Sequence, residues 1–222
     1  MSAGLFASLA VAPSLNARSI DAALETEQKL QKGEVVVGMK GEGETRLVTG
    51  TVLIDETPDN VWRVVVNPYE FRGKISPRMK DFQLLVDKRD RSVMRVNMDV
   101  LLIPHFNYVV ESIYKPGEKI EFHRMKGTEQ SLRDFNGSWE IQPRANGTKT
   151  ALTYSMYMDP GFFVPQWLIR EGVKGELPRT LSAIRKRVEA ISANREKLAT
   201  QTIAAASILP EAIAGKSAVN PL

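Results

Sequence analysis

From Asp81 to Asp159 polar and apolar residues alternate, and this period of two is the strongest pattern in the chain. The segments "DFQLLVD", "SVMRVNMDVLL", "FNYVVESIY", "KIEFHRM", "DFNGSWEIQP" and "TKTALTYSMYM" are separated by short turn signals such as "KRDR", "KPGE" and "RANGTK". Short alternating segments joined by short turns predict an antiparallel meander with one buried face. In "SVMRVNMDV" that face carries Met94, Val96, Met98 and Val100, and the opposite face carries Arg95, Asn97 and Asp99. The last two segments put Phe135, Gly137, Trp139 and Ile141 opposite Leu152, Tyr154, Met156 and Met158, across a tight turn at Asn146-Gly147.

Elsewhere the period is helical. Ser19 is placed to cap a helix running to about Lys32, where Gly33 ends it, and Leu24 and Leu30 give it a thin apolar stripe. "EVVVGM" and "RLVTGTVLI" then read as a strand pair. "ETPDNVWRVVVNP" carries Thr57 at the N-cap, Pro58 at the first helical position and Asp59 in the first turn, followed by an apolar stripe ending at Pro68. A short helical turn is expected around "YEFRG". After Pro160, Leu177, Leu181, Ile184, Val188 and Ile191 recur at spacings of three and four. The order predicts an α+β fold: a curved antiparallel sheet wrapped around a long C-terminal helix, from about Val173 to Ala193, that covers its concave face. A helix laid across a curved sheet need not fill the hollow beneath it.

Composition narrows this picture. The 222 residues are 43% hydrophobic and 25% charged, which fits a single soluble domain with extensions. There is no cysteine, which excludes disulfides, thiolate metal sites and cysteine nucleophiles. The net charge of +4 matches the excess of eight Lys/Arg over four Glu in residues 160–200. A basic helix can face nucleic acid or anionic lipid, but a solvated face is the plainer reading. Residues 1–17 read as a truncated signal or a disordered segment, because the apolar run at 4–12 lacks a basic opening. This leaves a cytoplasmic location and export both open. No run is long enough for a transmembrane helix. Residues 18–46 form a helix-and-strand extension, 47–195 the main domain, and 196–222 a loosely ordered tail.

Candidate chemistry is sparse. His105 and His123 stand apart with no matching carboxylate spacing, so no metal site is expected. No glycine-serine elbow, zinc-protease helix or phosphate-cradling loop occurs. Arg95 and Asp99, with Tyr108 and Tyr154, are the residues a catalytic cavity would need, but alternation sends Arg95, Asn97 and Asp99 outward. The methionines fit a different role, because Met is flexible and adapts to variable apolar shapes. Met94, Met98, Met156 and Met158 join Tyr108, Trp139 and Tyr154 on the inward face. With Val96, Val100, Leu177, Leu181 and Ile184 they line either a ligand cavity or a protein-filled core. "DPGFFVPQWLIREGVKG" reads as a gate built on Phe162, Phe163 and Trp167, with Gly172 and Gly175 weakening the helix; Trp167 and Phe163 sealing the end of the core is the alternative.

Three stretches carry a family resemblance: "GTVLIDETPDNVWRVVVNPYEF", the hairpin "FNGSWEIQP" to "NGTKTALTYSMYM", and "VPQWLIREGVKGELPRTLSAIRKRVEAI". Their order resembles the helix-grip fold of the START/SRPBCC superfamily, nearest to its coenzyme Q-binding and polyketide cyclase-like branch. The resemblance covers residues 47 to 195. It implies a cavity for a hydrophobic small molecule (a lipid, isoprenoid quinone, sterol-like or polyketide compound), with no cofactor. Non-catalytic binding or transport is the function expected. A cyclase/aromatase-type enzyme using the same cavity and a protein- or ribosome-interaction module are the alternatives. The expected partners are the small molecule and a peripheral membrane contact rather than nucleic acid.

Overall fold

The computed structural model describes residues 15–100, 103–127, 132–161 and 164–214. The elements run α1 (Leu15–Gln31), β1 (Val36–Lys40), β2 (Leu47–Ile54), α2 (Pro58–Val65), α3 (Pro68–Phe71), β3 (Met79–Asp87), β4 (Arg91–Val100), β5 (Ile103–Lys115), β6 (Lys119–Arg124), β7 (Asp134–Arg144), β8 (Lys149–Asp159) and α4 (Gln166–Ala214). All eight strands join one antiparallel sheet in the order β1-β2-β8-β7-β6-β5-β4-β3. The fold is therefore the expected α+β helix-grip arrangement, a sheet with one long helix against its concave face.

The alternation sets the register. Phe135 pairs with Met158, Gly137 with Met156, Trp139 with Tyr154 and Ile141 with Leu152, so each inward row meets an inward row. A one-residue slip would turn every one of these side chains to the other face. The turn between them is a short 3-10 segment in which Ala145, Asn146 and Gly147 all have positive φ.

The helix packs where the sheet lets it approach. Val48, Val52 and Ile54 of β2 are buried with Leu177, Leu181, Ile184 and Val188 of α4. Between them stands Gly50, where a Cβ would lie 2.8 Å from Leu181 Cδ1. The glycine thus sets how close the helix comes. Gly137 does the same within the sheet, since a Cβ there would fall 2.0 Å from the Ser155 carbonyl oxygen.

Three local expectations change. Helix α1 begins at Leu15, so Ser19 lies inside it rather than capping it; Gly33, at φ 77°, does follow its end. Thr57 occupies the N-cap of α2 without a side-chain capping bond; its neighbour α3 is the capped one, with Asn67 accepting from the Tyr69 N–H at 3.0 Å. Helix α4 runs 49 residues, continuing to Ala214 well past the buried stripe. Helix α1 lies on the convex face, where Leu30, Leu53 and Ala151 are buried.

Candidate ligand-binding site

The concave face is built from alternate residues of every long strand, and its centre is aromatic. Tyr154 stacks on Trp139 with centroids 3.8 Å apart and planes 5° from parallel. Phe71 of α3 meets Trp139 at 6.0 Å, and Phe122 lies 5.9 Å from Tyr154. Phe135 stands 5.1 Å from Phe122 and 5.2 Å edge-on from Tyr108. A continuous row of rings therefore crosses from β8 to β5.

Two kinds of position occur in the expected lining. Val96, Leu177, Leu181 and Ile184 are fully enclosed by protein atoms, and the three α4 residues form the helix–sheet contact itself. Met94, Met98, Tyr108, Tyr154, Met156 and Met158 pack against that core yet each keeps accessible surface; Trp139 lies beside them, nearly buried. Phe162 and Phe163 lie outside the described residues, as does the side chain of Val100. Trp167 is 61% exposed and its neighbour Leu168 is 50% exposed, so Trp167 does not seal the core.

Both inward tyrosines hold their protons tightly. Burial pushes the Tyr108 phenol up to about 12. Burial raises Tyr154 further, and the negative charge of an ionised Tyr108 adds to the effect. Both phenols are therefore neutral hydrogen-bond donors at physiological pH. Neither has a hydrogen-bond partner among the described residues.

The other polar groups on this face are occupied. Ser92 and Tyr114 share a hydrogen bond of 2.5 Å at one end. At the other, Arg124 follows Ile120 and Phe122 on the inward side of β6 and donates from Nε to the Leu132 carbonyl at 2.8 Å. Arg124 is the inward charge that the sequence pattern did not single out. The alternation of Ile120, Phe122 and Arg124 against Glu121 and His123 carried the signal. Arg95 is exposed, and Asp99 on the same outward row pairs with Lys80 at 3.1 Å, so these two candidates for cavity chemistry stand outside it. His123 faces outward as well, 3.2 Å from Glu111. Among the described residues no cluster of acidic or histidine side chains is arranged for a metal.

A small space lies under the N-terminal turns of α4. The space between those turns and the ends of β2 and β8, walled by Val48, Met156, Met158, Ile169 and Val173, measures only about 10 Å3. That holds about one water molecule, so no ligand-sized space is present at this point. The turns above it carry two glycines and precede a proline. Gly172 and Gly175 have open space where a Cβ would stand, so packing does not demand glycine at either. Pro178 lacks the N–H that would bond back along the helix. Two side chains tie this segment to the rest of the molecule among the described residues: Arg78, just before β3, pairs with Glu176 at 2.9 Å, and Arg170 bonds the Glu44 carbonyl.

Basic residues of α4 are largely engaged within the molecule. Arg170 donates to the Glu44 carbonyl, Arg185 to the Gly33 carbonyl and Arg195 to Asn60; Arg187 pairs with Glu70. The helix therefore does not present an uninterrupted cationic stripe.

A curved eight-stranded sheet gripping one long helix, with an aromatic and methionine-rich concave face, defines the START/SRPBCC class. Residues 45–189 match the family model described as polyketide cyclase/dehydrase and lipid transport, and the chain belongs to that family. Solved structures share the fold. A STAR-related lipid transfer protein fragment from Xanthomonas axonopodis is 23% identical with a TM-score of 0.56, covering 70% of this chain and 92% of that one. The Zhui aromatase/cyclase from a Streptomyces species is 17% identical with a TM-score of 0.56, covering 68% of this chain and 94% of that one. Human StAR-related lipid transfer protein 5 is 18% identical with a TM-score of 0.55, covering 79% and 97% respectively. No curated protein sequence matches the chain.

Proposed function

We propose that this protein binds and carries a hydrophobic small molecule between its sheet and α4, without transforming it. The observation that carries the reading is the row of partly accessible Met94, Met98, Tyr108, Tyr154, Met156 and Met158 on an otherwise buried face. Flexible thioethers and aromatic rings adapt to an apolar guest at small conformational cost. The family and the lipid-transfer proteins that share the fold support the same reading. Ligand enters when the first turns of α4 lift, and the exposed Trp167 and Leu168 at that end suit contact with a bilayer interface, where Trp is favoured. Among the described residues no helix is long and apolar enough to cross a membrane.

A second reading, a cyclase-type reaction in the same space, draws on the two inward phenols and on the aromatase/cyclase that shares the fold. Tyrosines held neutral in this way can hydrogen-bond a developing enolate oxygen but are not ionised to act as a base at neutral pH.

Native mass spectrometry of the full chain, before and after incubation with a total lipid extract, tests the carrier reading. A discrete apolar adduct, recovered unchanged after denaturation, is expected. Only the bare protein mass in both samples would overturn it.

A further inference from the structure

Helix α1 stands over the convex face of the sheet without closing on it. Its C-terminal end is fixed, because Leu30 is buried and Gly33 turns the chain at φ 77°. From Ser19 to Gln31 every residue except Leu30 is exposed. Ala22 and Ala23 of this helix and Thr51, Ala151 and Thr153 of the sheet wall a groove of about 540 Å3. That is the size of a small-molecule site, and far larger than the space under the first turns of α4. It lies on the side of the sheet opposite the carrier site, since Thr51, Ala151 and Thr153 alternate with the inward Val52, Leu152 and Tyr154. Its helical wall precedes the residues matched by the family model.

Two charges of opposite sign line this groove without pairing with each other. Glu27 projects from α1, and one of its carboxylate oxygens accepts from the Gln31 amide at 2.8 Å, which leaves the other open. Arg144 stands at the end of β7, directly opposite Lys149. Asp55 holds Lys149 at 2.5 Å, so Arg144 faces a neighbour of its own sign and has no carboxylate partner among the described residues. Between the charges the floor is mixed: Ala151 is apolar, and the Thr51 and Thr153 hydroxyls share a hydrogen bond of 2.9 Å.

We propose that this groove is a second binding site, for a small zwitterion of the ω-amino acid class. Its carboxylate meets the Arg144 guanidinium, which offers paired N–H donors to two oxygens, and its ammonium meets the open oxygen of Glu27. The methylene body lies along Ala22, Ala23 and Ala151. A plain carboxylate is repelled by Glu27 and a plain amine by Arg144, so the two charges select for a molecule carrying both.

Equilibrium dialysis of the full chain at low ionic strength, against 6-aminohexanoate, hexanoate and hexylamine, tests the site. A series from 4-aminobutanoate to 8-aminooctanoate finds the length that the groove prefers. The best ω-amino acid should bind about tenfold tighter than the carboxylate or amine of the same length, with the advantage shrinking as salt rises. Glu27→Gln and Arg144→Gln should each weaken its binding by about threefold to tenfold. Both side chains are exposed, so melting curves should not move. Ala23→Trp fills the groove and should abolish binding of the whole series. Failure of every ω-amino acid to bind, or to bind better than its singly charged analogues, would overturn the proposal. So would binding that survives Ala23→Trp. None of these outcomes bears on the carrier reading, which rests on the opposite face.

Discussion

The two halves of α4 differ in what holds them. From Leu177 to Val188 the helix buries one side chain every turn against β2 and α2, and Leu181 sits directly over Gly50. From Gln166 to Glu176 it carries two glycines that packing does not require, precedes a proline, and exposes Trp167 and Leu168. One half is part of the buried core, and the other, the flap of the carrier proposal, is more exposed. A single helix can thus differ in local stability along its length, because local stability follows burial and not helix length.

The largest effect should come from breaking the fixed half. Leu181→Ala removes a fully enclosed side chain and is expected to cost about 2–5 kcal/mol, read from urea unfolding. A loss below about 1 kcal/mol would mean that this half is not the anchor. Next comes the ion pair that ties α3 to the same half. Arg187 Nε lies 2.5 Å from Glu70, whose side chain is only 14% exposed. The hydrogen bond from Arg187 holds the Glu70 carboxyl below its ordinary 4.5. A lowered carboxylate stabilises the fold above its unfolded pKa, and that contribution fades as the pH drops through the lowered folded value. Glu70→Gln should therefore cost about 1–2 kcal/mol at neutral pH, and the gap to wild type should close in acid. Melting temperatures measured from pH 7 down to the acid limit would show the convergence.

Changes to the flap should be smaller in stability and larger in kinetics. Gly172→Ala and Gly175→Ala each favour helix by about 1 kcal/mol and meet no neighbouring atom. Release of a bound fluorescent lipid should slow in the double variant while equilibrium melting rises only slightly; unchanged release would place the entrance elsewhere. Smallest of all is Trp167→Ala. It should leave stability within about 0.5 kcal/mol, as for other exposed side chains, while reducing retention on neutral phospholipid vesicles in flotation.

Much of this architecture was legible before any coordinates. Alternation and the Asn146-Gly147 turn placed Trp139 opposite Tyr154, and the three-four spacing of Leu177, Leu181, Ile184 and Val188 marked the helix face that meets the sheet. Both are local periodicities, which a sequence displays directly. The engagement of the basic residues was not legible. Arg187 finds Glu70 across 117 positions, and no spacing rule connects them. Residues 196–214 lack a sustained apolar period yet continue the helix, since a segment rich in alanine needs no buried stripe to favour helical backbone. Arg124 is a third case: the alternation that turns His123 outward sets it inward, where a charge is not expected.

Besides the bond from Arg170 to the Glu44 carbonyl, a second hydrogen bond links this helix to the part of the chain before the family match. Arg185 reaches the carbonyl of Gly33 at 2.6 Å, and Gly33 leaves the guanidinium room, since a Cβ there would stand 2.8 Å from its nitrogen. The leading segment is thereby a brace on the stationary portion of α4, bearing on it from beyond the edge of the sheet. A protein trimmed to residues 45–189 would lose that fulcrum, and any swing of the entrance turns would then be shared with the pivot itself.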